Sequence, residues 1–138
     1  MKFWFANILF YSTLIYSCAN SKPTATLDLQ ASMLLNDLKA EGYTQSGYAP
    51  SESLTEKYNL YNDNQTYYVS GFLYVTGEVT ERSIKKLGVQ VGTKANNFWT
   101  VQVPITQLEK LTTQRGVVNF EAGKKTELKK KSDRGQLQ

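Results

Sequence analysis

The sequence contains no histidine. That absence excludes Ser-His-Asp and Cys-His nucleophilic chemistry, and it removes the imidazole ligand on which most zinc sites rely. The single cysteine, Cys18, lies in the N-terminal leader, so no disulfide can close within one chain and no cysteine cluster can hold a metal. Paired carboxylates are a remaining route to catalysis. No two acids, however, stand together at an apolar strand end, where burial would shift a pKa. The expectation is a protein with no catalytic residue, no metal and no cofactor. The net charge of +4 is mild, and much of the surplus follows Lys124. Solubility explains it as well as an anionic partner does.

What the sequence does have is a doubled pattern from Tyr67 to Glu121. TYYVSGFLYVTG, EVTERSIKKLG and VQVG read as strand, helix and strand. FWTVQVPI, TQLEKLTTQRG and VVNFEA read the same way, and each helix ends on a glycine followed at once by valine. Two β-α-β units predict an α+β fold, the ferredoxin-like βαββαβ sandwich: an antiparallel sheet of order 4-1-3-2 with two helices on one face. Leu27 to Ala40 has helical spacing and predicts an extra N-terminal helix, with Thr26 as its cap and Gly42 as its stop. A short helical turn is expected near Leu54 to Tyr58. Asn59 to Gln65 reads as a polar turn.

Strand alternation then sorts the module into two faces. Val69, Gly71, Leu73 and Val75 point toward the helices, with Trp99, Val101, Val103 and Ile105 from the third strand and Val118 and Phe120 from the last. Val79, Ile84, Leu87, Leu108 and Leu111 are the helical side of that core, and Thr80 and Thr106 are the expected caps. Val89 and Val91 line a short edge strand, after which Gly92 to Asn97 reads as a hairpin loop. The opposite face carries Tyr68, Ser70, Phe72, Tyr74, Phe98, Thr100 and Gln102. Such a concentration of aromatic rings on an open sheet face marks a binding surface, unless the N-terminal helix folds over it. Aromatics on central strands can also stack bases. The RNA-binding signature K/R-G-F/Y-G/A-F-V-x-F/Y is missing from FWTVQVPI, so nucleic acid is not an expected partner.

The leader MKFWFANILFYSTLIYSC has one early charge, Lys2, an apolar run and a small residue before Cys18. It reads as a secretory signal rather than a membrane span. Leu14-Ile15-Tyr16-Ser17-Cys18 resembles a bacterial lipobox, in which the chain is cut before a cysteine that then takes acyl chains. Tyr16 departs from the small residue usual at its place, and ordinary secretion with cleavage after Ala19 is the alternative. The expected organisation is a lipoprotein-type signal over 1–18, a tether over 19–25, an N-terminal helix and loop over 26–65, the module over 66–123 and a basic tail over 124–138. Export across the inner membrane and anchoring in the bacterial cell envelope by a lipid on Cys18 would follow.

YYVSGFLYV, KKLGVQVGTKANNFWTVQVP and ITQLEKLTTQRGVVNFEAGKK together resemble the inhibitor-type N-terminal propeptide of subtilisin-like serine proteases. The shared pattern is a V-S-x-F-aliphatic strand, an L-G-V-x-x-G turn, a T-x-x-V-P strand end, a helix with leucines three apart, and G-V-x-x-(I/F)-E-A. It spans Tyr58 to Lys125. The resemblance implies the same sandwich and a partner, a subtilisin-like serine protease, docked on the open face. It also implies a tail threading the protease cleft: Ala122, Gly123, Lys124, Lys125 and Thr126. Such domains template the folding of the protease and restrain it. The Asp-Thr/Ser-Gly, His-Gly-Thr and Gly-Thr-Ser-Met segments of the catalytic domain are absent from this sequence. The expectation is therefore a stand-alone inhibitor or chaperone, or the first part of a split gene. A structural or ligand-binding envelope lipoprotein that keeps only the fold is the alternative.

Overall fold

The computed structural model describes residues 24–43 and 48–124. In order these form β1 (Thr26–Leu27), α1 (Leu29–Ala40), α2 (Glu52–Tyr58), β2 (Tyr61–Asp63), β3 (Thr66–Val75) and α3 (Glu81–Lys85). Then come β4 (Gln90–Lys94), β5 (Phe98–Pro104), a 3-10 turn (Ile105–Gln107), α4 (Leu108–Thr112) and β6 (Val117–Ala122). The fold is α+β, with one six-stranded sheet of order β1-β6-β3-β5-β4 and β2 paired to β3. β1 runs parallel to β6 and every other pairing is antiparallel, so the sheet is mixed. The expected four-stranded antiparallel sheet is corrected on both counts, because two short strands from the N-terminal third join it.

Both additions fall where the sequence suggested something else. Thr26 and Leu27 extend β6 at its edge rather than capping and opening the helix, and the cap is Asp28, whose carboxylate accepts Ala31 N–H at 2.8 Å. Leu27 sits at helical spacing from Ala31 and Leu34, so periodicity alone started the helix two residues early. Tyr61–Asp63 is a strand, not a turn. It returns on β3 through Asn64 and Gln65, both at positive φ (47° and 67°), the geometry of a tight two-residue hairpin.

Three smaller departures concern the module. Val118 points to solvent, 50% exposed, while Val117 is buried. The register against β3 moves from Tyr74↔Asn119 to Val75↔Val117, so Val118 is the extra residue of a bulge and strict alternation fails there. β4 runs on to Lys94, into the expected loop, with a second irregularity between Val91 and Lys94, and Thr100 Oγ1 accepts Thr93 N–H at 2.7 Å. Thr106 caps nothing, since a 3-10 turn occupies its place, whereas Thr80 does cap α3 by accepting Ser83 N–H.

The core lies on one side of the sheet. Val69, Leu73 and Val75 of β3 are buried with Trp99, Val101 and Val103 of β5 and Phe120 of β6, under Ile84, Leu108 and Leu111. Gly71 is required by that packing: a Cβ there would lie 2.2 Å from Glu121 O and 2.8 Å from the Phe120 ring. α1 joins the same layer. Its Ala31, Leu34 and Leu38 are fully buried in the common core, Lys39 pairs with Glu109 of α4, and Tyr43 Oη donates to Thr106 O at 2.9 Å. Each such leucine contributes roughly 1.5–3 kcal/mol by leaving water. α2 is held against α1 by Asp37, which accepts from Lys57 Nζ at 2.8 Å and Tyr58 Oη at 2.7 Å, and by Glu41, which accepts from Tyr48 and Ser51. The N-terminal elements thus thicken the helical layer and leave the opposite face bare.

Candidate functional site: the open sheet face

Pairing register puts the seven expected face residues together. Ser70 lies opposite Gln102, Phe72 opposite Thr100, and Tyr74 opposite Phe98, with Tyr68 beside Pro104. Residues opposite one another in an antiparallel pair share a face, so all seven point away from the helices. Phe72 and Phe98 are 41% and 40% exposed, although alternate residues of the same strands are buried.

The face is built of two aromatic groups with a neutral saddle between them. At one end Phe72 meets Phe98 edge-on, with ring centroids 6.3 Å apart, and Tyr74 lies 6.4 Å from Phe98. At the other, Tyr61 and Tyr68 stand 6.4 Å apart. Tyr68 and Phe72 are four residues apart on one strand, about 13 Å. The saddle is a shallow groove of about 460 Å³ whose polar lining is Ser70, Gln90, Thr100 and Gln102, with Gly92 and Gly123 also lining it. These are uncharged amides, hydroxyls and backbone. Thr100 Oγ1 is already engaged by Thr93 N–H, which leaves Ser70, Gln90 and Gln102 as the groove's adaptable donors and acceptors.

One charge borders the aromatic end. Glu121 lies opposite Phe72 on β6 and accepts from Tyr74 Oη at 3.2 Å. That hydrogen bond to a carboxylate, with its negative charge, raises the Tyr74 pKa above the ordinary phenol value. The Tyr74 ring is thereby tied to the Glu121 carboxylate. Such a surface can bury apolar area and exchange hydrogen bonds.

Glu121, Tyr61 and Gln90 belong to this face and were not among its expected residues. Glu121 was legible as an outward residue of the last strand. Gln90 alternates with Val89 and Val91, a signal the short edge strand already contained. Tyr61 was hidden because its strand read as a turn.

The first two residues of the expected cleft-binding tail lie on the sheet. Ala122 is the last residue of β6, 3% exposed and opposite Gly71, and Gly123 N–H donates to Ser70 O at 2.8 Å. Both are ladder residues, held by hydrogen bonds the sequence could not register, and Lys124 is the first residue clear of the sheet. Ala25, expected in the tether, is likewise docked: it is buried and donates to Thr112 O at 2.7 Å. Cys18, Lys125 and Thr126 lie outside the described residues. Among the described residues, no helix is long and apolar enough to cross a membrane, and no cluster of acids could hold a metal ion.

No protein-family model, curated protein or solved structure matches the chain.

Proposed function

We propose that this protein is a non-catalytic docking module that binds a subtilisin-like serine protease through its open sheet face, as an inhibitor, a folding chaperone or both. The observation that carries the reading is the exposure of Phe72 and Phe98 on the side of the sheet that no helix covers. Rings held rigidly in a strand lose little side-chain entropy on binding and bring a large apolar area. The alternative, a lipoprotein keeping only the fold, called for Leu34, Leu35 and Leu38 to cover Phe72 and Tyr74. Leu34 and Leu38 pack in the core on the other side.

In fold terms, β3, α3, β4, β5, α4 and β6 are proposed as a ferredoxin-like unit to which β1, α1, α2 and β2 have been added. The pairings β6-β3-β5-β4 support that assignment. The tail that enters the protease cleft then starts at Lys124 rather than Ala122. Attachment to the cell envelope through an acylated Cys18 belongs to the same proposal and rests on the leader sequence alone.

The test is direct. The purified chain is added to a panel of subtilisins, and residual activity and recovery of refolding enzyme are both measured. Inhibition or assisted refolding that is lost on Phe72→Ser with Tyr74→Ser, in a variant with an unchanged circular dichroism spectrum, supports the reading. Neither effect with any enzyme of the panel removes it.

A further inference from the structure

The end of β6 is held from three sides, and two of the holding elements precede the βαββαβ segment. Asp28 N–H donates to Phe120 O at 2.9 Å, and the Asp28 carboxylate accepts Ala122 N–H at 3.2 Å while it caps α1. One side chain therefore joins the first turn of α1 to the last residue of the sheet. Gln30 Nε2 reaches Gly123 O at 3.4 Å, a weaker contact on the next peptide. From the β3 side, Ser70 O receives Gly123 N–H, and Gly123 fits closely there: a Cβ would stand 3.2 Å from Ser70 O.

The third constraint is steric. Tyr68 pairs with Pro104 of β5 on one flank and with Tyr61 of β2 on the other. β6 also lies on the flank away from β5. β2 and β6 therefore share one lane along β3, one ending at Tyr61 opposite Tyr68, the other at Gly123 opposite Ser70. A strand continuing past Lys124 would run into Tyr61. The ladder between β3 and β6 therefore ends beside the groove that Gly123 helps to line.

We infer that residues 26–63 act as an exit guide: Asp28 and Gln30 clamp the end of β6 and β2 closes its lane, so that the last ladder peptide, at Gly123, is held in one orientation. Asp28 and Gln30 are positioning residues, since they act on the tail through Ala122 and Gly123. The consequence for inhibition rests on the docking reading above; the guide itself does not. A departing segment whose first peptide is already oriented loses less freedom when it enters a cleft.

Amide hydrogen exchange on the full chain tests the guide without any protease. Asp28→Ser keeps a good helix cap but is too short to reach Ala122, whereas Asp28→Asn keeps both contacts. The Ala122 amide should exchange about tenfold faster in Asp28→Ser and close to the natural rate in Asp28→Asn. Gln30→Ala should speed Gly123 about two- to threefold, consistent with a weak bond. No local change in either variant, or a rise spread evenly over β3, β5 and β6 in both, overturns the guide. Inhibition of a subtilisin by the same variants separates the two ideas. Local loosening with no inhibition by any form leaves the guide standing and removes the docking reading. Inhibition that is equally strong in the natural chain and in a loosened Asp28→Ser variant overturns the guide's role in delivery.

Discussion

The two faces of β3 are made by adjacent residues of one strand, and they obey different rules. Val69, Gly71, Leu73 and Val75 face a layer of four helices and are buried; Ser70 and Phe72, between them, face outward and are exposed. On the inner face each side chain is constrained by volume, and a missing or added carbon is felt at once. On the outer face the rings are constrained only by their strand neighbours. An apolar side chain there contributes little to folding, so its presence calls for another explanation. The contrast teaches that hydrophobic residues in one strand can stand under two regimes, packed on one side and, on the proposed reading, available for recognition on the other.

Substitutions on the two faces should therefore separate stability from binding. The largest effect is expected from Phe120→Ala, which empties the centre of the inner face and should destabilise by about 3–5 kcal/mol, read from denaturant midpoints. Gly71→Ala should cost roughly 2–3 kcal/mol, because its new methyl meets the backbone of Glu121 and the ring of Phe120. If Gly71→Ala unfolds at the same denaturant concentration as the natural chain, the close approach of β6 to β3 is wrong.

On the outer face the order reverses. Phe98→Ser should shift stability by less than about 1 kcal/mol, while binding to an inhibited protease, measured by calorimetry, weakens at least about tenfold. A Phe98→Ser chain that binds normally would mean that the bare face is not the recognition surface.

The smallest effect concerns charge at the rim. Glu81 accepts hydrogen bonds from Lys85, at 2.6 Å, and from Lys94, which ties α3 to β4. These contacts lower its pKa from 4.5 to about 2. A carboxylate whose folded pKa is depressed adds stability above its unfolded pKa, and that contribution fades as pH falls from 4.5 toward 2. The group is exposed, so the gain is small. Carbon-detected NMR should place the Glu81 titration near 2 in the natural chain and higher in Lys94→Gln. An unmoved midpoint would show that Lys94 contributes nothing.

Most of the inner face was legible in the sequence because alternation and helical spacing are direct consequences of burial. Leu73, Val101, Val103, Ile84, Leu108 and Leu111 all fall where the pattern put them. The failures have two causes. Val118 was misplaced by a bulge, Thr26–Leu27 by a strand of only two residues, and Tyr61–Asp63 by a hairpin whose turn lacks glycine. The first two depend on pairings distant in sequence, which no local window contains; the third is local, but an Asn-Gln turn without glycine gives little signal of a hairpin. The outer face was readable from the same alternation, down to Phe72 and Phe98. That α1 would leave it bare was not readable, since an amphipathic helix does not reveal which side of a sheet it will choose. Ala122 closes the strand VVNFEA as the pattern put it, whereas the ties of Ala122 to Asp28 and of Gly123 to Ser70 join residues far apart in sequence and were not readable.

The irregularity in β4 has a consequence for how the molecule meets its neighbours. β4 is the last strand in the sheet order, the place where foreign strands usually add and fibrils begin. Here the hydroxyl of Thr100 takes up the Thr93 amide, and Lys94 puts a charge on the same short strand. A rim spoiled in this way is a poor template for sideways growth. The protein can keep its oily rings in view of solvent without inviting copies of itself to zip up along the border.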